Sequence, residues 1–256
     1  MIIIRTPLRI SFFGGGSDLP SWYKNYNDGC VLSTSINKYS YIQIRDLDNY
    51  FNHKYRVRYY INEEKNNVSD ISHPVVRLVF QKFFNKKSKG VELIHNADLP
   101  ARTGLGSSSA FTVSLLHSIY ELKNIKFNNN KLWQDSINIE QNLLKEAVGS
   151  QDQIACALGG LNFITFKKKK IHVENLNIYK KKIACLEKNL SLVFLGLRRD
   201  AKKIEKDKIL NISDSKNYLN EIVSVCKEGK KLFSSNNTNF LKEFGKLLNI
   251  QWDLKK

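Results

Sequence analysis

The sequence predicts an α+β fold, because strand-like alternation and helix-like periodicity are both present without the strict strand-helix rotation of a doubly wound sheet. Two shifts of pattern carry this expectation. The chain up to residue 95 reads mostly as strand and turns abruptly helical at Ser107, and the part from about residue 199 to 251 reads as helices with little strand signal.

In chain order, residues 2 to 13 read as a strand with Leu8, Ile10 and Phe12 on one face and Arg9, Ser11 and Phe13 on the other, broken by Gly14-Gly15-Gly16. Strands follow at 29 to 36, 39 to 46, 54 to 61 and 90 to 95, with a helix starting near Pro74. From Ser107 the apolar positions 111, 113, 115, 116, 119, 120 and 122 cover more than one helical face, which implies a buried central helix. A second helix covers about 130 to 147. Gly149 ends it, and a short helix from about 151 to 158 precedes strands at 160 to 166, 171 to 176 and 190 to 195. The last helical stretch runs into Trp252-Asp253-Leu254-Lys255-Lys256 with no closing strand, so the C-terminal part is expected to be half of a domain.

A chain of 256 residues buries a sizeable core, and 42% hydrophobic and 11% aromatic residues with only 4 Pro and 13 Gly exclude a disordered or collagenous chain. The net charge of +17 raises nucleic acid and membrane surfaces as partners. Lysine is nevertheless spread along the whole sequence, with no basic patch interleaved by aromatics, so neither partner is expected and anionic small molecules are. The run Lys167 to Lys170 lies between two alternating apolar segments and is expected to be a solvated hairpin turn. Cys30, Cys156, Cys185 and Cys226 have neither paired spacing nor a metal-ligand histidine nearby, which fits reduced thiols in the cytoplasm. No stretch approaches the roughly 18 apolar residues of a membrane span.

Pro100-Ala101-Arg102-Thr103-Gly104-Leu105-Gly106-Ser107-Ser108-Ser109-Ala110 follows a strand and opens the buried helix. Such a segment presents backbone N–H groups and a positive dipole end to an anion, although a serine N-cap after a glycine turn would give the same letters. No G-K-[ST] follows, so it is not a Walker A loop. In the next helix Trp133, Ile137, Glu140 and Leu144 fall on one stripe, placing a carboxylate among apolar side chains. A buried charge needs a partner, either a Lys or Arg across the interface or a divalent cation beside the phosphate loop. Asp152 follows in Gly149-Ser150-Gln151-Asp152-Gln153, where Ser150 and Gln153 have the spacing of a capping box.

Together these segments resemble the GHMP kinases, the superfamily of galactokinase, homoserine kinase, mevalonate kinase and phosphomevalonate kinase. Pro7-Leu8-Arg9-Ile10-Ser11-Phe12-Phe13-Gly14-Gly15-Gly16-Ser17-Asp18 is similar to the first family motif and residues 100 to 110 to the second, with Arg102 replacing the usual first glycine. Glu140 and Asp152 match the acid pair. The triple glycine with Ser17-Asp18, the segment Tyr26 to Leu32 and the segment Leu195 to Ala201 are most similar to heptose 7-phosphate kinases and related fucokinase-type enzymes.

The resemblance implies a two-domain fold: a ribosomal protein S5 domain 2-like N-terminal domain over residues 1 to 187, and a ferredoxin-like C-terminal domain over 188 to 256. That second domain is expected to be incomplete, because the family's third glycine-rich motif is absent. It further implies an ATP- and Mg2+-dependent kinase acting on a small-molecule sugar or sugar phosphate. The implied reaction phosphorylates the anomeric hydroxyl of a heptose 7-phosphate, giving a 1,7-bisphosphate for nucleotide-activated heptose synthesis. The alternatives are a fucokinase- or galactokinase-like enzyme and a nucleotide-binding remnant without catalysis. Pro100, Arg102, Thr103, Gly104, Leu105, Gly106, Ser107, Ser108 and Ser109 would hold ATP; Ser108 and Glu140 would bind Mg2+. Asp152 would orient or deprotonate the accepting hydroxyl beside Arg9, and Gly15, Gly16, Ser17 and Asp18 would meet the sugar.

Overall fold

The computed structural model describes residues 1–85, 87–101, 103–176, 180–193, 216–236 and 238–256. It is mixed α+β, as the pattern predicts, and divides into two compact units, each assembled from separated stretches of chain. The first comprises Met1–Leu8, Ile36–Glu146 and Asp152–Leu158; the second comprises Arg9–Ser35, Ala147–Gln151 and Gly159–Lys256.

In the first unit, Ser40–Leu47 of the long strand β2 (Gly29–Leu47) pairs antiparallel with β5 (Gly90–Ala97). Strand β5 runs parallel to β3 (Tyr55–Arg58), which turns back antiparallel into β4 (Asn62–Lys65). A parallel neighbour requires a crossover, and α2 (Pro74–Phe83) lies on that path. Pro74 occupies its first turn, where a missing N–H costs nothing, and Val75, Val76, Val79 and Phe80 form its buried face. Helix α3 (Ser107–Leu122) is buried on more than one side, as the dense apolar spacing predicts, and joins Ile42, Ile44, Val57, Phe80 and Leu93 in one core.

In the second unit, Gly29–Thr34 of β2 pairs antiparallel with β6 (Leu161–Phe166), and β6 with β7 (Ile171–Asn175). Lys167 and Lys170 exchange backbone hydrogen bonds of 2.9 and 3.2 Å, so the lysine run is the exposed hairpin turn its neighbours suggest. This unit also holds α1 (Pro20–Tyr23), α6 (Lys180–Asn189), α7 (Lys216–Ser234) and α8 (Phe240–Asp253). Their core is aromatic: Phe13 meets Phe244 edge-on at 5.1 Å, and Phe233 meets Phe240 at 5.3 Å. Gly229 of α7 lies so close to the Phe13 ring that a Cβ would sit 2.5 Å from it.

Several expectations are corrected. The strands expected at 29 to 36 and 39 to 46 are one continuous strand; the exposed Asn37 and Lys38 interrupt the apolar alternation but not the backbone. Residues 54 to 61 are not one strand, because β3 ends at Arg58 and a turn leads into β4, whose Asn-Glu-Glu-Lys sequence carries no apolar signal. In β1 (Ile2–Phe13) the buried residues do not follow one face: Leu8 enters the first core, while Phe13, on the opposite face with Arg9 and Ser11, is fully buried in the second. Residues 190 to 193 form no strand, and 194, 195 and the Leu195–Ala201 segment lie outside the described residues. Helix α6 has one buried residue, Leu186, too few to mark it in the sequence. Among the described residues no helix is long and apolar enough to cross a membrane.

Candidate functional site

In the first unit the loop after β5 takes left-handed backbone at Gly104 (φ +77°) and Gly106 (φ +74°), a conformation glycine adopts without steric penalty. Gly106, not a serine, is the N-cap of α3, and no side chain caps it; the first internal bond runs from Ala110 N–H to Gly106 O at 2.8 Å. The N-terminal turn therefore keeps amide donors uncommitted to a capping side chain, at the positive end of the helix dipole. Among the described residues nothing lies within 4 Å of where a Gly104 side chain would begin. Thr103 Oγ1 is buried without a hydrogen bond, Leu105 packs onto the first core, and Pro100 and Ser108 are exposed. Arg102 lies outside the described residues.

Helix α4 (Asn129–Ile137) is capped by Asn128, whose Oδ1 accepts from Lys131 N–H at 2.9 Å. It continues as a wider π-helical turn, Asn138–Leu143, and stops there instead of reaching 147. Lys145 has φ +53°, which a continuing right-handed helix excludes. The wide turn carries Glu140, which is 1% exposed, as the apolar stripe predicts. Its Oε2 accepts from Ser109 Oγ at 2.9 Å and from the Gln153 amide, while Oε1 is buried with no hydrogen bond among the described residues. Of the two partners the sequence leaves open, the salt bridge to a Lys or Arg is not made among the described residues. The hydroxyl that faces it is that of Ser109, not Ser108.

Burial pushes the Glu140 carboxyl up to about 7, against the opposing influence of Thr112, Gln153 and Ser109. The Thr112 hydroxyl bonds the Ser108 carbonyl at 3.3 Å, so Oε1 keeps no donor of its own. The folded protein thus holds this proton more tightly than the unfolded chain. Below the ordinary carboxylate pKa the two states are alike; as pH rises from there to about 7, only the unfolded state releases the proton, and stability falls. The ligand-free protein is expected to lose on the order of 3 kcal/mol across that window through Glu140, measurable by urea unfolding at stepped pH without Mg2+.

A buried carboxylate with one oxygen unprovided for fits a divalent cation. Mg2+ is commonly held by one or two carboxylates with substrate phosphates completing its shell, and Glu140 stands beside the uncapped turn where phosphates would sit.

In the second unit the Gly14–Asp18 turn is closed by Ser17 N–H to Gly14 O at 3.1 Å. Ser17 is fully buried; its hydroxyl bonds Gly14 O at 2.7 Å and accepts from Cys30 N–H at 3.1 Å. Asp18 is 2% exposed, with Oδ1 accepting from Gly16 N–H at 2.9 Å and Oδ2 from Gln151 N–H at 3.3 Å. Of the four residues expected to meet sugar, only Gly15 is not buried, and Ser17 and Asp18 are committed to backbone. Arg9 on β1 and Asp152 in the first turn of α5 (Gln151–Leu158) are both half-buried. The capping box is not completed: Gln153 reaches Glu140, and the Ser150 N–H goes to the Asp18 carbonyl at 3.1 Å. Gln153 and Ser109 were missed as partners of Glu140. The spacing of Gln153 from Ser150 points to a local role, and of the three adjacent serines the resemblance singles out Ser108.

Residues 71–160, which run through α2, the glycine loop, Glu140 and Asp152, match the family described as GHMP kinases N terminal domain. Over 98% of its length the chain is 28% identical to a D-glycero-alpha-D-manno-heptose 7-phosphate kinase of Campylobacter jejuni, covering 76% of that protein. It is 27% identical over 61% of its length to a galactokinase of Thermotoga petrophila, covering 43% of it. A solved D-glycero-D-manno-heptose 1-phosphate kinase from Bacteriodes thetaiotaomicron matches the whole chain with a TM-score of 0.82 at 21% identity, 79% of that structure being covered. The mevalonate kinase of Methanococcus jannaschii matches 99% of the chain at 0.69 and 15% identity, with 78% of it covered. At these identities the structural likenesses bear on the fold alone, and that fold is the one shared by small-molecule kinases that act on sugars and on mevalonate. Residues 71–160 thus carry the GHMP kinases N terminal domain, and the chain as a whole is similar to a heptose 7-phosphate kinase.

Proposed function

We propose that the protein is a cytoplasmic sugar kinase that transfers the γ-phosphoryl group of Mg-ATP to the anomeric hydroxyl of a heptose 7-phosphate. The observation that carries this reading is Glu140, a buried carboxylate with an unsatisfied oxygen, bonded to Ser109 in the first turn of a helix whose N-terminus is left uncapped. Phosphoryl transfer depends on positioning and charge neutralisation more than on covalent chemistry. The Thr103 to Ser109 loop would receive phosphate oxygens on backbone N–H groups, with Pro100 and Arg102 flanking it, and Glu140 would hold the cation together with the exposed Ser108, Ser109 being bonded to Glu140 itself. A cation held there would supply neutralisation of the phosphate charge. Asp152 accepts the proton of the sugar hydroxyl, and Arg9 offsets negative charge at that step. The linear division into an N-terminal domain to residue 187 and a C-terminal one beyond it belongs to the same proposal.

The choice of a phosphorylated sugar draws on the Campylobacter jejuni relative and on a cavity of about 500 Å3 in the second unit, lined by Lys167, Lys227, Lys230, Lys231 and Asp28. Lys230 pairs with Glu174 and Lys167 lies 3.7 Å from Asp28, whereas Lys227 and Lys231 have no acidic partner among the described residues. Replacing both with alanine is expected to raise KM for heptose 7-phosphate about tenfold and leave KM for ATP unchanged in initial-rate assays.

The reaction itself is tested by ADP release from Mg-ATP with heptose 7-phosphate, fucose, galactose and mannose, with phosphorus NMR to place the new phosphate. A new anomeric phosphate on heptose 7-phosphate alone supports the reading. Transfer to a free sugar instead would replace the substrate, and nucleotide binding without transfer to any acceptor would replace catalysis with a binding role.

A further inference from the structure

We infer that Asp18 is a positioning residue that clamps the turn entering α5, and so sets the place of Asp152, rather than a ligand of the sugar. The inference rests on the role proposed for Asp152. Three observations support it. The carboxylate is 2% exposed and both its oxygens already accept backbone N–H groups, from Gly16 and from Gln151, so little of it remains for a substrate hydroxyl. The second bond reaches 133 residues along the chain to the first residue of α5, where a negative charge and a hydrogen-bond acceptor both stabilise a helix start; Asp18 serves as a cap supplied from a distant segment. The next N–H back, that of Ser150, is held by the Asp18 carbonyl at 3.1 Å, so one residue fixes two consecutive amides.

Gly149 makes this approach possible. A Cβ there would lie 1.9 Å from Asp18 Oδ2, so only glycine lets the carboxylate close on the turn. Two side chains brace the same segment: Ser11 Oγ donates to Gln151 Oε1, and the Tyr23 hydroxyl is 3.2 Å from Ser150 Oγ. Asp152 is the residue directly after Gln151 and sits in the first turn of α5, so its backbone is carried by this clamp.

The test uses Asp18→Asn, which keeps the volume but exchanges one acceptor for a donor facing a backbone N–H, and Gly149→Ala, which pushes the carboxylate away. Amide hydrogen exchange is read at Ser150 and Gln151, with β5 amides as the internal reference, beside kcat and KM for the sugar. Both variants are expected to lose protection at the two amides only and to lower kcat about 10²-fold with sugar KM within about twofold, since displacing a reacting group by an ångström has that cost. Unchanged protection in either variant overturns the clamp. A tenfold rise in sugar KM at unchanged kcat overturns the positioning role and returns Asp18 to sugar binding. Should the unaltered protein transfer phosphate to no sugar, the kinase reading fails by itself, while the exchange data still decide whether Asp18 holds the turn.

Discussion

Asp152→Asn is expected to lower kcat by about 10²- to 10⁴-fold while leaving the Kd for Mg-ATP within about twofold, because a general base contributes in the transition state and not to nucleotide binding. The side chain keeps its size and its place in the first turn of α5, and loses its charge and with it the ability to accept a proton. The loss of one negative charge near a helix N-terminus costs at most about 1 kcal/mol of stability, too little to unfold the protein. Initial rates of ADP release beside a nucleotide titration separate the two quantities. Equal loss of turnover and nucleotide affinity would contradict the role given to Asp152.

The second large effect is expected at Glu140. Glu140→Gln preserves the volume and removes the charge, and its consequences for folding and for catalysis point in opposite directions. Without ligand at pH 8 the variant is expected to be more stable than the parent, because burial there penalises the ionised carboxylate, whose pKa has been pushed up to about 7. With Mg-ATP the same change removes the anionic oxygen proposed to hold the cation, so kcat is expected to fall about 10²-fold and the Mg2+ concentration for half-maximal rate to rise. Urea unfolding at pH 8 and a Mg2+ titration of the rate measure the pair. A variant that is both less stable and less active would make Glu140 a structural acid held by Ser109 and Gln153.

Much of the candidate site was legible because its signals are local. Glycines at 104 and 106 allow the left-handed turn that opens α3, and the dense apolar spacing after Ser107 marks that helix as buried. The stripe of Trp133, Ile137, Glu140 and Leu144 puts a carboxylate into the core from periodicity alone, since every residue of a helix is tied to its neighbours three and four positions away. The π-helical turn that carries Glu140 was not legible, because one wider turn leaves hardly any trace in an apolar pattern. Nor was the identity of the serine: adjacent hydroxyls in a first turn differ only in direction, and the packing of α3 against the Glu140 turn selects Ser109.

Asp18 shows the limit most clearly. Its sequence context, after a triple glycine, marks a special turn but is silent on whether the carboxylate faces a ligand or the interior. The answer depends on Gly149 and Gln151, more than a hundred residues away, whose backbone meets it. The same holds for Phe13, which shares its face of β1 with Arg9 and Ser11 yet is covered by the aromatic core of Phe233, Phe240 and Phe244. What the sequence alone determined was the α+β class, the glycine turn that opens α3 and the burial of Glu140, all consequences of backbone conformation and short-range periodicity. The tertiary structure decided which donors reach Glu140, which acids are committed to backbone and which face of β1 is covered. Those outcomes come from contacts between distant segments, which hydrogen bonding and exclusion of water select only once the chain has folded.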